Sequence, residues 1–219
     1  MGAGRGRRAR YCVYPVTIIA VDGPAASGKG TIARALAEHY RLPHLDTGLH
    51  YRAVGFATVR AGGDPDVADD VIAACQFDEA LLADPELRSE AAGGFASRAS
   101  IHPSVRAALL KRQQDFANQP GGAVLDGRDI GTVIAPHASA KLFVTASAQA
   151  RAHRRQRDDP DQDFEAIHSD ILARDARDSG RSDAPLRQAP DADLLDTSDL
   201  TIDLAVQRAI ALVEAQLKR

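Results

Sequence analysis

The sequence predicts an α/β fold of three layers, in which a five-stranded parallel β-sheet lies between two layers of helices. Short apolar runs alternate with helical patterns along the chain, which is typical of parallel sheets. The first run is continuous and β-branched, as expected for a strand that helices cover on both faces. Polar residues follow these runs. Because such sheets bind ligands at the carboxyl ends of their strands, we expect a ligand site at that edge.

Five apolar runs are the candidate strands. They are Val16–Val21, Leu42–Leu45, Ala123–Leu125, Lys141–Thr145 and Asp193–Leu195. Helical patterns lie between them or after them, such as Ile32–Tyr40 behind the first run and residues 202–217 behind the last. The polar groups that follow the runs begin at Asp22, Asp46, Asp126 and Asp196. These groups are expected to meet at one edge of the sheet.

Length and composition indicate a globular domain with its own apolar core. Of the 219 residues, 44% are hydrophobic and 26% are charged, so the chain needs no disulfide framework and wholesale disorder is excluded. The net charge of −3 gives no reason to expect a nucleic-acid partner. Two cysteines without a CxxC pair favour a reducing compartment. The chain has no HExxH or GxSxG motif, which argues against a zinc enzyme and a serine hydrolase.

The amino-terminal residues resemble a secretory signal, because basic Arg5–Arg10 precedes the apolar run Val13–Val21. However, Pro15 interrupts the run, Asp22 ends it, and a glycine-rich motif follows directly. We therefore interpret residues 1–15 as a basic flexible tail. No segment approaches the ~20 apolar residues that a membrane helix needs. We predict a cytoplasmic protein without a membrane partner and expect it to be a monomer.

The strongest motif is GPAASGKGT, between the first predicted strand and the first predicted helix. Its glycines let several N–H donors converge on phosphate oxygens, and the helix adds the positive end of its dipole. Lys29 then reaches the β- and γ-phosphates of ATP. Because Gly30 stands where Ser or Thr commonly follows the lysine, Thr31 is the candidate Mg²⁺ ligand, directly or through water. The predicted ATP-binding residues of this loop are Gly23, Pro24, Ala25, Ala26, Ser27, Gly28, Lys29, Gly30 and Thr31.

Six stretches together resemble the cytidylate kinase family of P-loop kinases. They are Asp22–Thr31, Leu45–Arg52, Val105–Phe116, Asp126–Thr132, Arg151–Arg155 and Arg174–Leu186. Their order and spacing are similar to the family's over nearly the whole chain after the tail. The resemblance implies direct in-line transfer of the γ-phosphoryl group of Mg-ATP to CMP or dCMP, which gives CDP or dCDP.

The resemblance also implies a division of residues 16–219, a single kinase domain, into three functional parts. These are a core of residues 16–46, 118–150 and 188–219, an acceptor-binding region of residues 47–117, and a lid region of residues 151–187. One departure from the family is expected in the second part. Bacterial members commonly carry a β-rich insert there, but Asp64–Ala96 is too short and too helix-prone to hold all of it.

Arginines supply the charge that transfer between two polyanions needs, because this reaction depends on neutralisation and alignment more than on acid–base chemistry. We expect Arg52 and Arg128, from loops at strand ends, to hold the acceptor phosphate with Thr47. Two further stretches have helical spacing, namely Arg151, Arg154 and Arg155, and Asp170, Arg174, Arg177, Asp178 and Arg181. A salt-bridged solvent face explains part of this pattern, since Asp170 with Arg174 and Arg174 with Asp178 are favourable i,i+4 pairs. Exposed pairs contribute only ~0.3–0.5 kcal/mol each, so a lid over ATP explains it better.

The resemblance implies roles for individual residues. Arg155 faces the donor nucleotide, Asp178 meets the acceptor sugar, and Ser97, Arg106 and Asp129 meet the base. The predicted catalytic residues are Lys29, Arg128, Arg174 and Arg181. The predicted acceptor-binding residues are Thr47, Arg52, Ser97, Arg106, Arg128, Asp129 and Asp178. For each of the three residues assigned to the base, a purely structural role is the alternative.

Three other functions remain open from the residues. A kinase of this class could accept UMP, AMP or another small phosphorylated metabolite. A nucleotide-sensing switch would hold ATP without turnover, but the arginines of the lid region argue against it. A nucleic-acid binder would use Arg5–Arg10, and its binding would be steeply salt-dependent.

Overall fold

The computed structural model describes residues 16–219, so the predicted tail over residues 1–15 lies outside the described residues. Five parallel strands form one sheet in the order β2-β3-β1-β4-β5. Their bounds are β1 Thr17–Asp22, β2 His44–Asp46, β3 Gly122–Gly127, β4 Ala140–Thr145 and β5 Asp193–Asp196. The predicted parallel five-stranded sheet is confirmed, and each predicted strand overlaps an observed one.

Helices connect the strands within the described residues. They are α1 Lys29–Tyr40, α2 Thr47–Arg60, α3 Ala68–Ala73, α4 Glu90–Ala99, α5 Pro103–Ala117, α6 Ala148–Asp158, α7 Phe164–Gly180 and α8 Ile202–Leu217. Three short 3-10 turns lie between α3 and α4, and a π-helical turn, Ile130–Ile134, follows β3. Helix α1 begins at Lys29, three residues earlier than predicted, because Gly28 serves as its N-cap.

The core lies on both faces of β1, because successive side chains of a strand point to opposite faces. Ile19 and Val21 pack on one face in a cluster with residues of α1 and α8, including Leu36 and Val213. Ile18, Ala20 and Leu125 pack on the other face with Ala117 of α5 and the π-helical turn. Burial of each large aliphatic side chain stabilises the fold by roughly 1.5–3 kcal/mol.

Residues 47–117 and 151–187 contain helices and turns and no strand, in agreement with the helix-prone composition predicted for Asp64–Ala96. Helices α2 and α4 approach closely, since a Cβ at Gly55 would lie 2.8 Å from the backbone of Phe95. Helices α6 and α7 pack through a separate cluster of Ala152, Ile167 and Ile171. The sheet register places Asp126 beside both Val21 and Asp46, so the carboxyl ends of three strands meet.

Candidate active site

The glycine-rich loop connects β1 to α1 and has its shape from backbone contacts. A Cβ at Gly23 would lie 2.0 Å from the carbonyl oxygen of Val144, so only glycine fits between β1 and β4. Gly28 has a φ of 88°, a left-handed conformation that favours glycine, and its carbonyl accepts bonds from the N–H groups of Thr31 and Ile32. Ala26 is also left-handed, with a φ of 58°. The start of α1 therefore faces the loop with free N–H donors, as an anion site requires.

Lys29 is the first residue of α1 and lies among charges from three strand ends. Burial and the nearby Arg128 charge lower the pKa of Lys29 to about 8, although Asp126 and Asp46 oppose this change. Its ammonium group is thus less stable than in water. A phosphate beside it would restore the favoured charged form.

A cleft of about 190 Å³ opens beside Lys29 at the carboxyl edge of the sheet. The structure brings the predicted catalytic and acceptor-binding residues together around it. They are Lys29, Thr47, Arg52, Ser97, Arg106, Arg128, Asp129, Arg174, Asp178 and Arg181. Asp46, Tyr51 and Asp126 line it as well. This acceptor-side cleft therefore has side chains from the strand ends, α2, α4, α5 and α7.

A second cleft, of about 830 Å³, lies on the other side of the loop between α6 and the start of α8. Ser27, Gly28 and Thr31 line this donor-side cleft, and Ala26 and Arg155 line both clefts. The two clefts therefore meet at the glycine-rich loop. Two ligands bound in them would approach each other beside Ala26 and Arg155.

Buried ion pairs hold the charged side chains of the acceptor-side cleft. Arg128 Nε donates to Asp178 Oδ2 at 2.8 Å, and Arg181 lies 3.8 Å from the same carboxylate. Burial acts to raise the pKa of Asp178, but the charges of Arg128 and Arg181 outweigh it and hold that pKa below its ordinary value. Arg106 and Asp129 form another buried pair. Burial raises the pKa of Asp129 despite the Arg106 charge.

Arg52 lies in the second turn of α2, so its predicted place in a loop at a strand end is wrong. A helix begins directly after β2, and no loop precedes Arg52. Its guanidinium donates to the carbonyl oxygens of Leu87 at 2.9 Å and Ser89 at 3.0 Å.

The second predicted i,i+4 partner of Arg174 also differs. Arg174 lies 3.7 Å from Asp170 as expected, whereas Asp178 pairs with Arg128 and Arg181 instead.

Two predicted hydroxyl groups are held by neighbouring elements. Thr47 Oγ1 donates to the carbonyl oxygen of Asp126 at 2.8 Å, and Ser97 Oγ accepts a bond from Arg177 Nε at 3.2 Å. Arg151 is buried. Its guanidinium donates to the carbonyl oxygen of Ala25 and pairs with Asp175. Arg151 thus joins α6 and α7 to the glycine-rich loop. The functional roles predicted for Thr47 and Ser97 stay predictions.

Two groups that the sequence places near the site, but to which it assigns no contact of their own, help to build it. Asp22 is buried, and its two oxygens accept bonds from the N–H groups of Ile130 and Gly131, each at 2.8 Å. Burial raises the pKa of Asp22 to about 7, against these two bonds. Arg154 donates to the hydroxyl of Thr197 at 3.1 Å and so joins α6 to the end of β5. The position of Asp22 directly at a strand end was the available signal.

The donor set fits Mg²⁺ that arrives with nucleotide phosphates. Among residues 16–219, His, Cys, Asp and Glu side chains form no group of three that could hold a metal ion. Mg²⁺ commonly binds one or two carboxylates together with substrate phosphates. Asp126 provides such a carboxylate. One of its oxygens lies 2.7 Å from His44 Nε2, and the other faces Gly30 of the glycine-rich loop. Thr31 is exposed on the donor side instead, and its role stays a prediction.

A family model described as cytidylate kinase matches residues 19–215. The chain belongs to the cytidylate kinase family. It is 56% identical over 203 residues to a cytidylate kinase of Caulobacter vibrioides strain NA1000, with 90% of this chain and 95% of that one covered. It is 57% identical over 204 residues to a cytidylate kinase of Xanthobacter autotrophicus, with 91% and 98% covered. The resemblance inferred from the motifs is therefore confirmed.

Solved structures with low sequence identity share the fold. A gluconokinase from Sinorhizobium meliloti has a TM-score of 0.53 at 15% identity, with 94% of this chain and 95% of that chain covered. An uncharacterized protein from Eubacterium ventriosum has a TM-score of 0.55 at 14% identity, with 91% and 99% covered.

Among residues 16–219, no helix has both the length and the apolar character that crossing a bilayer requires.

Proposed function

We propose that this protein phosphorylates CMP and dCMP with ATP as the donor, in the cytoplasm. The observation that carries the proposal is the meeting of two clefts at the glycine-rich loop, where Ala26 and Arg155 line both. Membership in the cytidylate kinase family supports the same reaction. Direct in-line transfer needs the two phosphate ends to meet at one point, and the two clefts provide that arrangement.

The donor-side cleft takes the nucleoside of ATP, and the loop from Gly23 to Thr31 takes its phosphates, with Arg155 beside them. Lys29, Arg128, Arg174 and Arg181 provide positive charge around the transfer point, where preorganised charge lowers the barrier most. Mg²⁺ neutralises phosphate charge when it is bound with ATP. Asp126 and Asp46 are the carboxylates that would hold it, since both interact with Lys29 at the loop.

The acceptor-side cleft takes CMP. Arg52, Arg128 and Thr47 hold its phosphate, and Asp178 meets the sugar hydroxyls. Ser97 and the Arg106–Asp129 pair meet the base. Cytosine has two acceptors, N3 and O2, next to a donor, its amino group. The pair supports this assignment, because it presents a donor and an acceptor next to each other inside the cleft.

ADP release measured against a panel of nucleoside monophosphates tests the proposal. We expect CMP and dCMP to support turnover far better than UMP or AMP. Equal turnover with UMP would contradict the base assignment but leave a nucleoside-monophosphate kinase. If no acceptor stimulates ADP release although ATP binds, the protein is an ATP-binding switch.

A further inference from the structure

Glu90 links the helices of the acceptor-binding region to those of the lid region. It is the first residue of α4, after the N-cap Ser89, where the helix dipole favours a carboxylate. Its Oε1 accepts bonds from Arg155 Nη1 of α6 at 2.7 Å and from Arg174 Nη1 of α7 at 3.1 Å. One carboxylate oxygen thus bridges two guanidinium groups from two other helices.

The two arginines depend on a shared anion. Arg155 lines both clefts, and Arg174 is buried and lines the acceptor-side cleft. Burial and the charge of Arg155 lower the pKa of Arg174 to about 10, so the two groups repel each other. A Cβ at Gly93, one turn after Glu90, would lie 2.6 Å from Arg174 Nη2. The glycine therefore lets the Arg174 guanidinium lie against α4.

We propose that Glu90 is a positioning residue that couples the donor and acceptor sites, an inference that rests on the proposed function. Its carboxylate holds Arg155 and Arg174 together in the place where phosphate oxygens compete for them. A phosphate group that binds both arginines must displace Glu90 from both, and this breaks the link from α4 to α6 and α7. The substrate that binds first carries this cost and the second does not, so each substrate raises the affinity for the other. By thermodynamic reciprocity the two factors are equal.

Asp170 is a matched control on α7. It lies 3.3 Å from Arg155 and 3.7 Å from Arg174, and 45% of its side chain is exposed, compared with 46% for Glu90. Loss of either carboxylate makes the arginine pair more attractive to phosphate by similar electrostatics. Only Glu90, however, connects this pair to α4.

Calorimetric titration of CMP with and without a non-hydrolysable ATP analogue and Mg²⁺ tests this coupling. In the unsubstituted protein, the analogue should raise CMP affinity about 5-fold or more, and CMP should raise the analogue's affinity equally. In Glu90→Gln, each ligand alone should bind more tightly and the coupling factor should fall to below about 2. In Asp170→Asn, each ligand should also bind more tightly, but the coupling should persist.

A second variant keeps every charge. Gly93→Ala places a methyl group against the Arg174 guanidinium and should also weaken the coupling. If Glu90→Gln fails to fold, the coupling measured in Gly93→Ala decides the question. Coupling that is absent from the unsubstituted protein, unchanged in the folded variants, or lost equally in Asp170→Asn would overturn the proposal. Absence of CMP-stimulated ADP release from the unsubstituted protein would instead overturn the proposed function.

Discussion

The sheet with its glycine-rich loop and the helices of residues 47–117 and 151–187 are held together differently. In the sheet, apolar contacts and backbone hydrogen bonds dominate, as Ile19 and Leu125 illustrate in two fully buried clusters. The helical regions have smaller apolar clusters, such as Ala152 with Ile167. Ion pairs between distant segments add to them, as between Arg128 and Asp178 or Arg155 and Glu90. Apolar pattern along the chain determines the first kind of contact. The second depends on which charged groups meet after folding.

Substitution of Lys29 has the largest expected effect, and we expect it in turnover and not in stability. Lys29→Met should lower turnover by about 10²- to 10³-fold or more, because it removes preorganised charge at the transferring group. The melting temperature should stay close to that of the unsubstituted protein. Lys111→Met is the control, since 83% of the Lys111 side chain is exposed and Lys111 lines neither cleft. Near-normal turnover in folded Lys29→Met would remove the loop from the mechanism.

Leu125 tests the sheet side of the comparison. Leu125→Ala should lower the free energy of unfolding by about 2–5 kcal/mol, because it leaves a cavity in a fully buried cluster. Leu194→Ala in the edge strand β5 should change it by less than about 1 kcal/mol, since Leu194 is 55% exposed. Urea unfolding monitored by circular dichroism measures both. Similar losses at the two positions would show that burial does not decide stability here.

Asp129, between β3 and the π-helical turn, tests base recognition together with Arg106 of α5. We expect the unsubstituted protein to prefer CMP over UMP, because uracil presents a carbonyl to Asp129 and an N–H group to Arg106. Each buried mismatch costs ~1–3 kcal/mol, so two give roughly 10²- to 10⁴-fold discrimination. Asp129→Ala should slow CMP phosphorylation more than UMP phosphorylation.

A control for this experiment removes the other carboxylate next to Arg106. Asp183 lies 3.3 Å from Arg106 Nε and is more than half exposed, so Asp183→Ala should leave the CMP preference unchanged. The ratio of kcat/KM values for CMP and UMP is the measurement. Equal slowing of both substrates in Asp129→Ala would reject base reading by this pair.

Asp22 is expected to affect the pH dependence of stability. Its folded pKa of about 7 lies above the ordinary value of 3.8, so the folded state binds the proton more tightly. Its contribution to stability is complete below about pH 3.8 and decreases as the pH rises toward 7, by up to about 1.4 kcal/mol per pH unit. Asp22→Asn should flatten the stability profile between pH 5 and 7 by about that slope. Identical slopes in urea titrations would show that Asp22 does not titrate in this range.

The sequence predicts the sheet far better than the partners of its charged groups. Strand β4 was predicted at Lys141–Thr145 and begins one residue earlier, because an apolar run is a local property. Arg174 and Asp170 were predicted as partners from helical spacing, and they are close. Asp178 instead pairs with Arg128, 50 residues away, and Glu90 meets arginines 65 and 84 residues away. No periodic pattern encodes contacts between residues that far apart.

The left-handed conformation of Ala26 has a consequence for the speed of the catalytic cycle. A non-glycine residue in this region costs roughly 1–3 kcal/mol, and the packing around the loop must hold it there. That strain is imposed when the chain folds, before any nucleotide binds. We therefore expect nucleotide exchange to need no rearrangement of this backbone, so the strain at Ala26 should not slow the catalytic cycle.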